Sequence, residues 1–138
     1  MAVHSAQLLN SIAMTDATFQ RDGRSSWVGK CLICGGPLRF DAATGEGATV
    51  EHILPRSLGG TNDPRNLGIA HRRCNGEKGI HWDGGPRRRR LPERYRALVE
   101  RLHTERERRW RHPAREDAMQ YGVEDGVEDG VGAGAMRP

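Results

Sequence analysis

Two short pairs of metal-binding residue types bracket the middle of this 138-residue chain. The first pair is Cys31-x-x-Cys34 and the second is His71-x-x-Cys74. Zinc takes four nitrogen or sulfur ligands in a tetrahedron, and pairs at this spacing supply them. One ion held by both pairs would bring the two ends of residues 35–70 together. The spacing therefore predicts a Cys3His structural zinc site at the base of a closed module.

Two alternatives to this zinc site remain open at the level of sequence. His81 could serve as the fourth ligand, or the cysteines could be small buried apolar residues beside a surface histidine, His71. Hydrophobic residues make up only 36% of the chain and aromatic residues only 5%. A small domain with so little apolar material usually needs an additional staple such as a metal ion. The composition therefore favours zinc.

The start of the chain and its hydropathy predict a protein without a membrane partner. The N-terminal sequence MAVHSAQLLN lacks the basic lead and long apolar run of a secretory signal. No stretch approaches the roughly 18 apolar residues that a spanning helix needs. Three cysteines, an odd number, favour free thiols or metal ligation over disulfides. We expect a soluble, cytoplasmic protein.

Periodicity and turn residues predict an α+β chain in four parts. Short strands are expected at residues 38–40, 48–54 and 67–70, a short helix at 75–82 and a longer helix at 92–110. Pro92 suits the first turn of that longer helix. The expected parts are an N-terminal arm (a short helix or loose segment) and linker at 1–26, a core at 27–84, an Arg-rich helical segment at 85–116 and a disordered acidic, Gly-rich tail at 117–138.

Positive charge is concentrated in one segment of the chain. The net charge is +4, and residues 87–116 contain twelve arginines against five glutamates. Guanidinium groups bind phosphate oxygens in bidentate fashion, so the four arginines that open this segment are expected to contact a DNA backbone. These four are Arg87, Arg88, Arg89 and Arg90.

The alternative for the basic segment is a solvated helix face. Ion pairs such as Glu93–Arg96 and Glu105–Arg109 would then hold the charges along the helix surface. We favour this alternative for residues 105–116, and the phosphate contact for the four arginines before the helix.

The segment from Cys31 to Gly79 resembles the HNH endonucleases. The resemblance rests on Glu51-His52 followed by a Pro-Arg-Ser-x-Gly-Gly loop, on Asn66 and on Asn75 within Asn-x-x-Lys-Gly. It implies a ββα-metal core with zinc knuckles and hydrolysis of DNA phosphodiester bonds with Mg²⁺ or Mn²⁺. Small free-standing proteins of this kind are frequent in phages and their bacterial hosts.

The resemblance also implies a role for each motif residue. His52 would be the general base, and Glu51 and Asn75 would hold the divalent cation. Asn66 would tie the loop and fix the backbone around the base. Glu51 stands where many members have Asp, and Asn75 where many have His, so the chain is an H-N-N variant. Because neighbouring strand residues point to opposite faces, we expect a twist or bulge to bring Glu51 and His52 together.

Basic residues near the motif are the other expected DNA contacts. Arg56 and Arg72 flank the site, and Lys78 could contact a phosphate or cap the short helix. RNA as substrate, nicking versus double-strand cleavage and oligomeric state stay open.

Two other functions compete with a nuclease: a non-catalytic zinc DNA-binding module, and an accessory subunit of a phage DNA-processing or packaging machine. Convergence of the motif residues on one metal would argue against the first. An exposed apolar patch on residues 1–30 or on the stripe Tyr95–Leu102 would favour the second.

Overall fold

A computed structural model describes residues 2–79 and 92–113 of the chain. The helices are α1 (Ala2–Met14), α2 (Arg72–Lys78) and α3 (Pro92–Arg108), with 3-10 turns at Arg56–Leu58 and Pro64–Asn66. The strands are β1 (Gln20–Asp22), β2 (Ser26–Lys30), β3 (Pro37–Asp41), β4 (Thr49–His52) and β5 (Leu67–Ala70).

Three expectations from the sequence lie outside the described residues. They are the alternative zinc ligand His81, the acidic tail at 117–138, and the phosphate contacts of Arg87, Arg88, Arg89 and Arg90. These three therefore stay predictions.

The described residues form two small antiparallel sheets, so the α+β prediction is confirmed. One sheet has the order β1-β2-β3 and the other pairs β4 with β5. The second sheet and α2 form the ββα unit that the resemblance implied. Strand β5 lies at its predicted bounds, whereas β4 ends at His52, two residues before the predicted end. Helix α2 begins at Arg72, three residues before the predicted start, so Asn75 lies inside the helix rather than at its first position.

The N-terminal residues form part of the core, which differs from the arm and linker expected at 1–26. Helix α1 buries Leu9 and Ile12, and Phe19 is fully buried beside Trp27 in the same cluster. The side chain of Asp16 accepts hydrogen bonds from the backbone and hydroxyl of Thr18, which closes the turn after α1. The segment is polar enough to resemble a linker because its single large apolar side chain, Phe19, carries most of the packing.

Phe19 is accommodated by a glycine on the neighbouring strand. A Cβ atom on Gly29 would lie 2.4 Å from the Phe19 ring, so only glycine leaves room for the ring to lie on β2. Strand β1 then pairs with β2 in the register Gln20↔Val28. This contact explains how a short polar stretch is held in the sheet.

Helix α3 packs its apolar stripe against the domain. Tyr95, Val99 and Leu102 form a second buried cluster with Leu32 and with Ile53, which follows β4. Leu32 lies in the zinc frame, our name for the two knuckles Cys31–Cys34 and His71–Cys74. The predicted helical spacing is therefore correct, and the stripe is covered by the protein's own residues. Among the described residues, the exposed large hydrophobic side chain is Leu8, which is 37% exposed. The patch that an accessory subunit would need is thus not seen in this part of the chain.

Arginines of α3 and the residues after it contact backbone carbonyls from distant segments. Arg106 donates to Leu67 O (2.6 Å), Thr15 O (3.0 Å) and Pro64 O (3.3 Å). Arg109 donates to Lys30 O and Cys31 O, and Arg111 donates to Met14 O, Ala13 O and Phe19 O. We call Arg106, Arg109 and Arg111 the arginine seam.

The seam corrects the expectation of a solvated helix face for the described part of 105–116, which ends at residue 113. The predicted ion pair Glu105–Arg109 is present at 2.8 Å, but the Arg109 side chain is 5% exposed and Arg106 is fully buried. Burial lowers the pKa of Arg106 to about 10, so the guanidinium remains charged at neutral pH. These charges are used inside the protein because the last turn of α1 and the residues after it leave carbonyls that need donors.

Candidate metal centre and catalytic cleft

The two predicted zinc pairs meet at one point of the structure. The ligand atoms of the four residues all lie within 4.8 Å of one another. His71 Nδ1 is 3.4 Å from Cys34 Sγ and 3.7 Å from Cys74 Sγ. Ligands of a tetrahedral zinc ion stand about 3.5–3.8 Å apart, as its bond lengths of roughly 2.0–2.3 Å require. The donor set and its spacing therefore fit zinc, with Cys31, Cys34, His71 and Cys74 as ligands.

Hydrogen bonds around the four residues orient them for a cation. His71 Nε2 lies 2.9 Å from Pro37 O and must donate to it, which leaves Nδ1 with a lone pair directed at the sulfurs. Backbone N–H groups of Cys34 and His71 approach Cys31 Sγ at 3.4 Å, and the N–H of Gly36 donates to Cys34 Sγ at 3.3 Å. Such N–H donors stabilise thiolates.

The thiols respond differently to this environment. The hydrogen bond from the Gly36 backbone lowers the pKa of Cys34. Burial, followed by the charge of Cys31, raises the pKa of Cys74 to about 12. A zinc ion held by Cys74 would reverse this effect, because a coordinated thiol is deprotonated outright.

Strand β4, the residues just after it and α2 form the walls of a cleft of about 330 Å³. Glu51, His52 and Asn75 all line this cleft, together with Val50, Pro55, Arg56 and Ser57. The β4–β5 register runs without interruption from Thr49↔Ala70 to His52↔Leu67, so the expected bulge is not present in this ladder. His52 is the last residue of β4, and there the chain leaves the strand. A larger cleft, of about 570 Å³, lies between the zinc frame and α3 and contains none of the predicted catalytic residues.

Glu51 is buried beneath the cleft in an ion pair with Lys78. Glu51 Oε2 lies 2.7 Å from Lys78 Nζ, and both side chains are at most 2% exposed. Lys78 Nζ also donates to His52 O at 3.3 Å. The ammonium group thus faces the motif from inside, whereas the sequence suggested a phosphate contact or a helix cap. A cation at Glu51 would share the carboxylate with Lys78.

Asn75 presents its amide between α2 and β4. The side-chain nitrogen donates to Val50 O at 3.1 Å and to Thr49 Oγ1 at 3.3 Å. Both bonds use Nδ2, so Oδ1 is the atom suited to a hard cation, which prefers oxygen ligands. Two protein oxygens in one cleft fit Mg²⁺, which usually binds few carboxylates and keeps several waters or phosphate oxygens.

Asn66 closes the loop between β4 and β5. Its Oδ1 accepts from Leu54 N at 2.9 Å, and its Nδ2 donates to Leu54 O at 3.0 Å and to Thr61 O at 2.8 Å. The loop also contains Gly60, where a Cβ would lie 1.7 Å from Leu54 O, so no other residue fits there without a shift of the backbone. This is the arrangement expected of a residue that ties the loop.

Two further polar residues contact the motif and were not identified from the sequence. Asn62 Oδ1 lies 2.8 Å from His52 Nε2. His103 of α3 lies 2.9 Å from Asn66 Oδ1 through Nε2, and burial, followed by the charge of Lys78, lowers the pKa of His103. Asn62 stands in the turn-forming run Thr-Asn-Asp-Pro, and His103 lies 37 residues from its partner, so local pattern gave no signal for either.

The predicted phosphate contacts divide between described and undescribed parts of the chain. Arg56 and Arg72 are exposed, and Arg56 lines the cleft. Arg72 opens α2, one residue after the zinc ligand His71. Both are therefore open to a polyanion, as expected. The remaining four, Arg87, Arg88, Arg89 and Arg90, lie outside the described residues.

Residues 31–80 match the family model described as HNH endonuclease. The match covers 50 of the 138 residues and identifies this segment as an HNH endonuclease domain. Its boundaries enclose the zinc frame and the cleft, but neither α1 nor α3. No curated protein and no solved structure gave a significant match. Within the described residues, no helix is long and apolar enough to cross a bilayer.

Proposed function

We propose that this protein is a metal-dependent DNA endonuclease in which His52 is the general base and Glu51 and Asn75 hold a divalent cation. The observation that carries the proposal is the shared cleft, where a carboxylate, an imidazole and an amide line about 330 Å³ of space. The three side chains come from the end of one strand and from the middle of a helix. The sequence separates Asn75 from the other two, so their convergence supports a common site.

His52 provides the base. A neutral imidazole takes a proton from water near neutral pH, and the water oxygen then attacks phosphorus. The new P–O bond forms as the bond to the 3′ oxygen breaks, and the leaving oxygen takes a proton from solvent water. The products are a 3′-hydroxyl and a 5′-phosphate, as the family resemblance implies. Asn66 holds the loop that follows His52 through its hydrogen bonds to Leu54 and Thr61.

Glu51 and Asn75 provide oxygen ligands for the divalent cation. Mg²⁺ or Mn²⁺ bound there would supply positive charge to the scissile phosphate and the leaving oxygen. Lys78 pairs with the Glu51 carboxylate inside the protein, with 2.7 Å between Nζ and Oε2. The zinc frame has a separate, structural role, which is to fix the start of α2 against the first knuckle.

Exposed arginines provide the DNA contacts in this proposal. Arg56 and Arg72 would bind neighbouring phosphates without reading the base sequence. The same role is proposed for the run Arg87, Arg88, Arg89 and Arg90. A phage or bacterial setting, a cytoplasmic location and a phage DNA-processing partner remain parts of the proposal that rest on resemblance alone.

The direct test is cleavage of supercoiled plasmid with and without Mg²⁺ or Mn²⁺. We expect nicked or linear product only with the metal, and a rate that falls by about 10²–10⁴-fold in His52→Ala. His112→Ala is the matched control, because His112 is exposed and does not line the cleft. Single-stranded RNA tested in parallel decides the substrate class.

Failure of cleavage would favour one of the two competing functions. Plasmid binding with one tightly held zinc and no cleavage under any metal would identify a non-catalytic DNA-binding module. Cleavage that appears only with a partner protein would identify an accessory subunit. Equal loss of activity in His112→Ala would instead indicate that the His52 effect is not specific.

A further inference from the structure

The side chain of Asn62 contacts the imidazole of His52 within the exposed loop that joins β4 to β5. The distance from Asn62 Oδ1 to His52 Nε2 is 2.8 Å. An amide oxygen only accepts hydrogen bonds, so the ring nitrogen that faces it must carry a proton. In the neutral ring this leaves Nδ1 as the nitrogen with a lone pair. A general base needs its lone pair on the nitrogen that faces the attacking water.

We propose that Asn62 is a positioning residue that holds His52 in the Nε2–H tautomer and so presents Nδ1 as the proton acceptor. The proposal rests on the proposed nuclease function for its catalytic meaning. It adds a residue that the sequence motif does not contain.

Asn62 is suited to this role because the residues on both sides of it are held. Thr61 O accepts a hydrogen bond from Asn66 Nδ2 at 2.8 Å. Asp63 Oδ1 accepts from Arg65 N at 2.8 Å, and Asp63 O accepts from Asn66 N at 2.7 Å. The backbone of Asn62 is thereby fixed although its side chain is exposed.

Asn66 connects this contact to the rest of the domain. It binds Thr61 on one side and His103 of α3 on the other, at 2.8 and 2.9 Å. A continuous set of hydrogen bonds therefore runs from α3 through Asn66 and the loop to His52. The middle residue of the motif thus has a physical role, since it places Asn62, which in turn orients the base.

The experiment measures the tautomer directly on zinc-loaded protein without DNA. Long-range ¹H–¹⁵N spectra of the histidine rings, recorded at about pH 8 where free imidazole is neutral, distinguish Nε2–H from Nδ1–H. His52→Gln assigns the His52 signals among the six histidines. We expect Nε2–H in the natural protein and in Asn62→Asp, which keeps the acceptor. A mixture of tautomers is expected in Asn62→Ala.

The same variants are compared in plasmid cleavage. Outer partners of catalytic groups typically contribute about 10–100-fold to activity. We therefore expect kcat of Asn62→Ala to fall by about 10-fold or more with KM for DNA unchanged, and Asn62→Asp to recover a substantial part of the loss. Asp63→Asn is the control in the same loop, since asparagine keeps the side-chain oxygen that accepts from Arg65 N, and the hydrogen bond to His52 comes from Asn62.

The outcomes separate this inference from the proposed function. An unchanged His52 tautomer in Asn62→Ala overturns the inference, as does unchanged cleavage by that variant. A natural protein that never cleaves DNA removes the nuclease function, and the spectra then still decide whether Asn62 sets the tautomer. A fall in thermal stability of Asn62→Ala equal to that of Asn66→Ala would indicate a purely structural role.

Discussion

The arginine seam and the rim of the cleft use the same residue type for opposite purposes. Arg106 is fully buried and donates to carbonyls of two separate segments, Thr15 and residues 64–67, whereas Arg56 is exposed beside His52. Both belong to a chain whose excess of arginine predicted contact with a polyanion. The difference shows that the count of positive charges overstates the DNA-binding surface, because part of that charge joins α3 to the body of the protein.

The two regions also differ in their position relative to the HNH domain, residues 31–80. The cleft lies wholly within residues 31–80, but the seam joins α3 to residues 13–19 and to the first zinc knuckle. Helix α3 in addition reaches the cleft loop through His103 and Asn66. Changes in the seam should therefore act on stability, and changes at the cleft should act on DNA cleavage.

Loss of zinc should produce the largest effect, because the domain should unfold. Stability and DNA cleavage should then be lost together, in the seam and the cleft alike. Structural zinc in small domains contributes on the order of 10 kcal/mol of folding free energy. We expect Cys31→Ser, or a strong chelator, to remove the cooperative thermal transition seen by circular dichroism. Restoration of the transition by added zinc is the control. An unchanged melting temperature in metal-free protein would contradict a structural zinc site.

Replacement of a seam arginine should destabilise the protein without altering the cleft. Arg106→Met leaves buried carbonyls of Thr15 and Leu67 without their donor, at about 1–3 kcal/mol for each, so we expect a loss of about 3–5 kcal/mol in denaturant titration. Arg108→Met is the matched control on the same helix, because the Arg108 side chain is 71% exposed and pairs only at the surface. The Arg108→Met variant should lose less than about 1 kcal/mol of unfolding free energy. Similar losses of unfolding free energy in Arg106→Met and Arg108→Met would contradict a special role for the buried arginines.

The Glu51–Lys78 pair lies at the cleft but is buried like the arginines of the seam, so it can separate the effects of burial from those of catalysis. Glu51→Gln removes one partner of a buried ion pair, which typically costs about 3–5 kcal/mol. Adding Lys78→Met removes the unpaired ammonium and should recover most of that stability, as measured by denaturant titration. Plasmid cleavage should stay absent in both variants, because the metal ligand is missing. Recovery of cleavage in the double variant would show that Glu51 does not bind the catalytic cation.

The folding stability of the protein should depend on pH through His103 of α3. Its pKa is lowered below the ordinary 6.5 by burial and by the charge of Lys78. The folded state then binds fewer protons than the unfolded state, so stability is fully present above about pH 6.5 and is lost as pH falls through the lowered pKa. We expect the melting temperature of the natural protein to fall more steeply below about pH 6.5 than that of His103→Gln. Parallel curves would show that other groups cause the loss.

The smallest expected effect is at the rim of the cleft. Arg56→Ala should leave stability within about 0.5 kcal/mol, since exposed substitutions seldom do more. The slope of log affinity against log salt should fall by about one, as for any lost phosphate contact. DNA-binding titrations at several salt concentrations measure this slope, with Arg24→Ala as an exposed control outside the cleft. An unchanged slope would exclude Arg56 from the DNA interface.

Much of the local structure and of the site could be predicted because its signals are local in sequence. The zinc pairs, the motif from Glu51 to Asn75 and the stripe Tyr95–Leu102 were each visible as a spacing. The stripe follows the helical repeat and the zinc pairs follow the spacing of metal ligands, whereas the motif was identified through the resemblance to a family. The family match over residues 31–80 covers the zinc pairs and the motif.

The sequence by itself determined the α+β class, the four candidate zinc ligands and the motif residues of an HNH domain. Only the tertiary structure decided the partners of the polar side chains: Lys78 with Glu51, Asn62 with His52, and Arg106 with carbonyls up to 91 residues away. It also decided that residues 16–26 form a turn and the paired strand β1, anchored by the buried Phe19, rather than a linker. The physical reason is that hydrogen bonds and ion pairs are set by distance in space and by burial, and neither quantity is encoded in the spacing of residues along the chain.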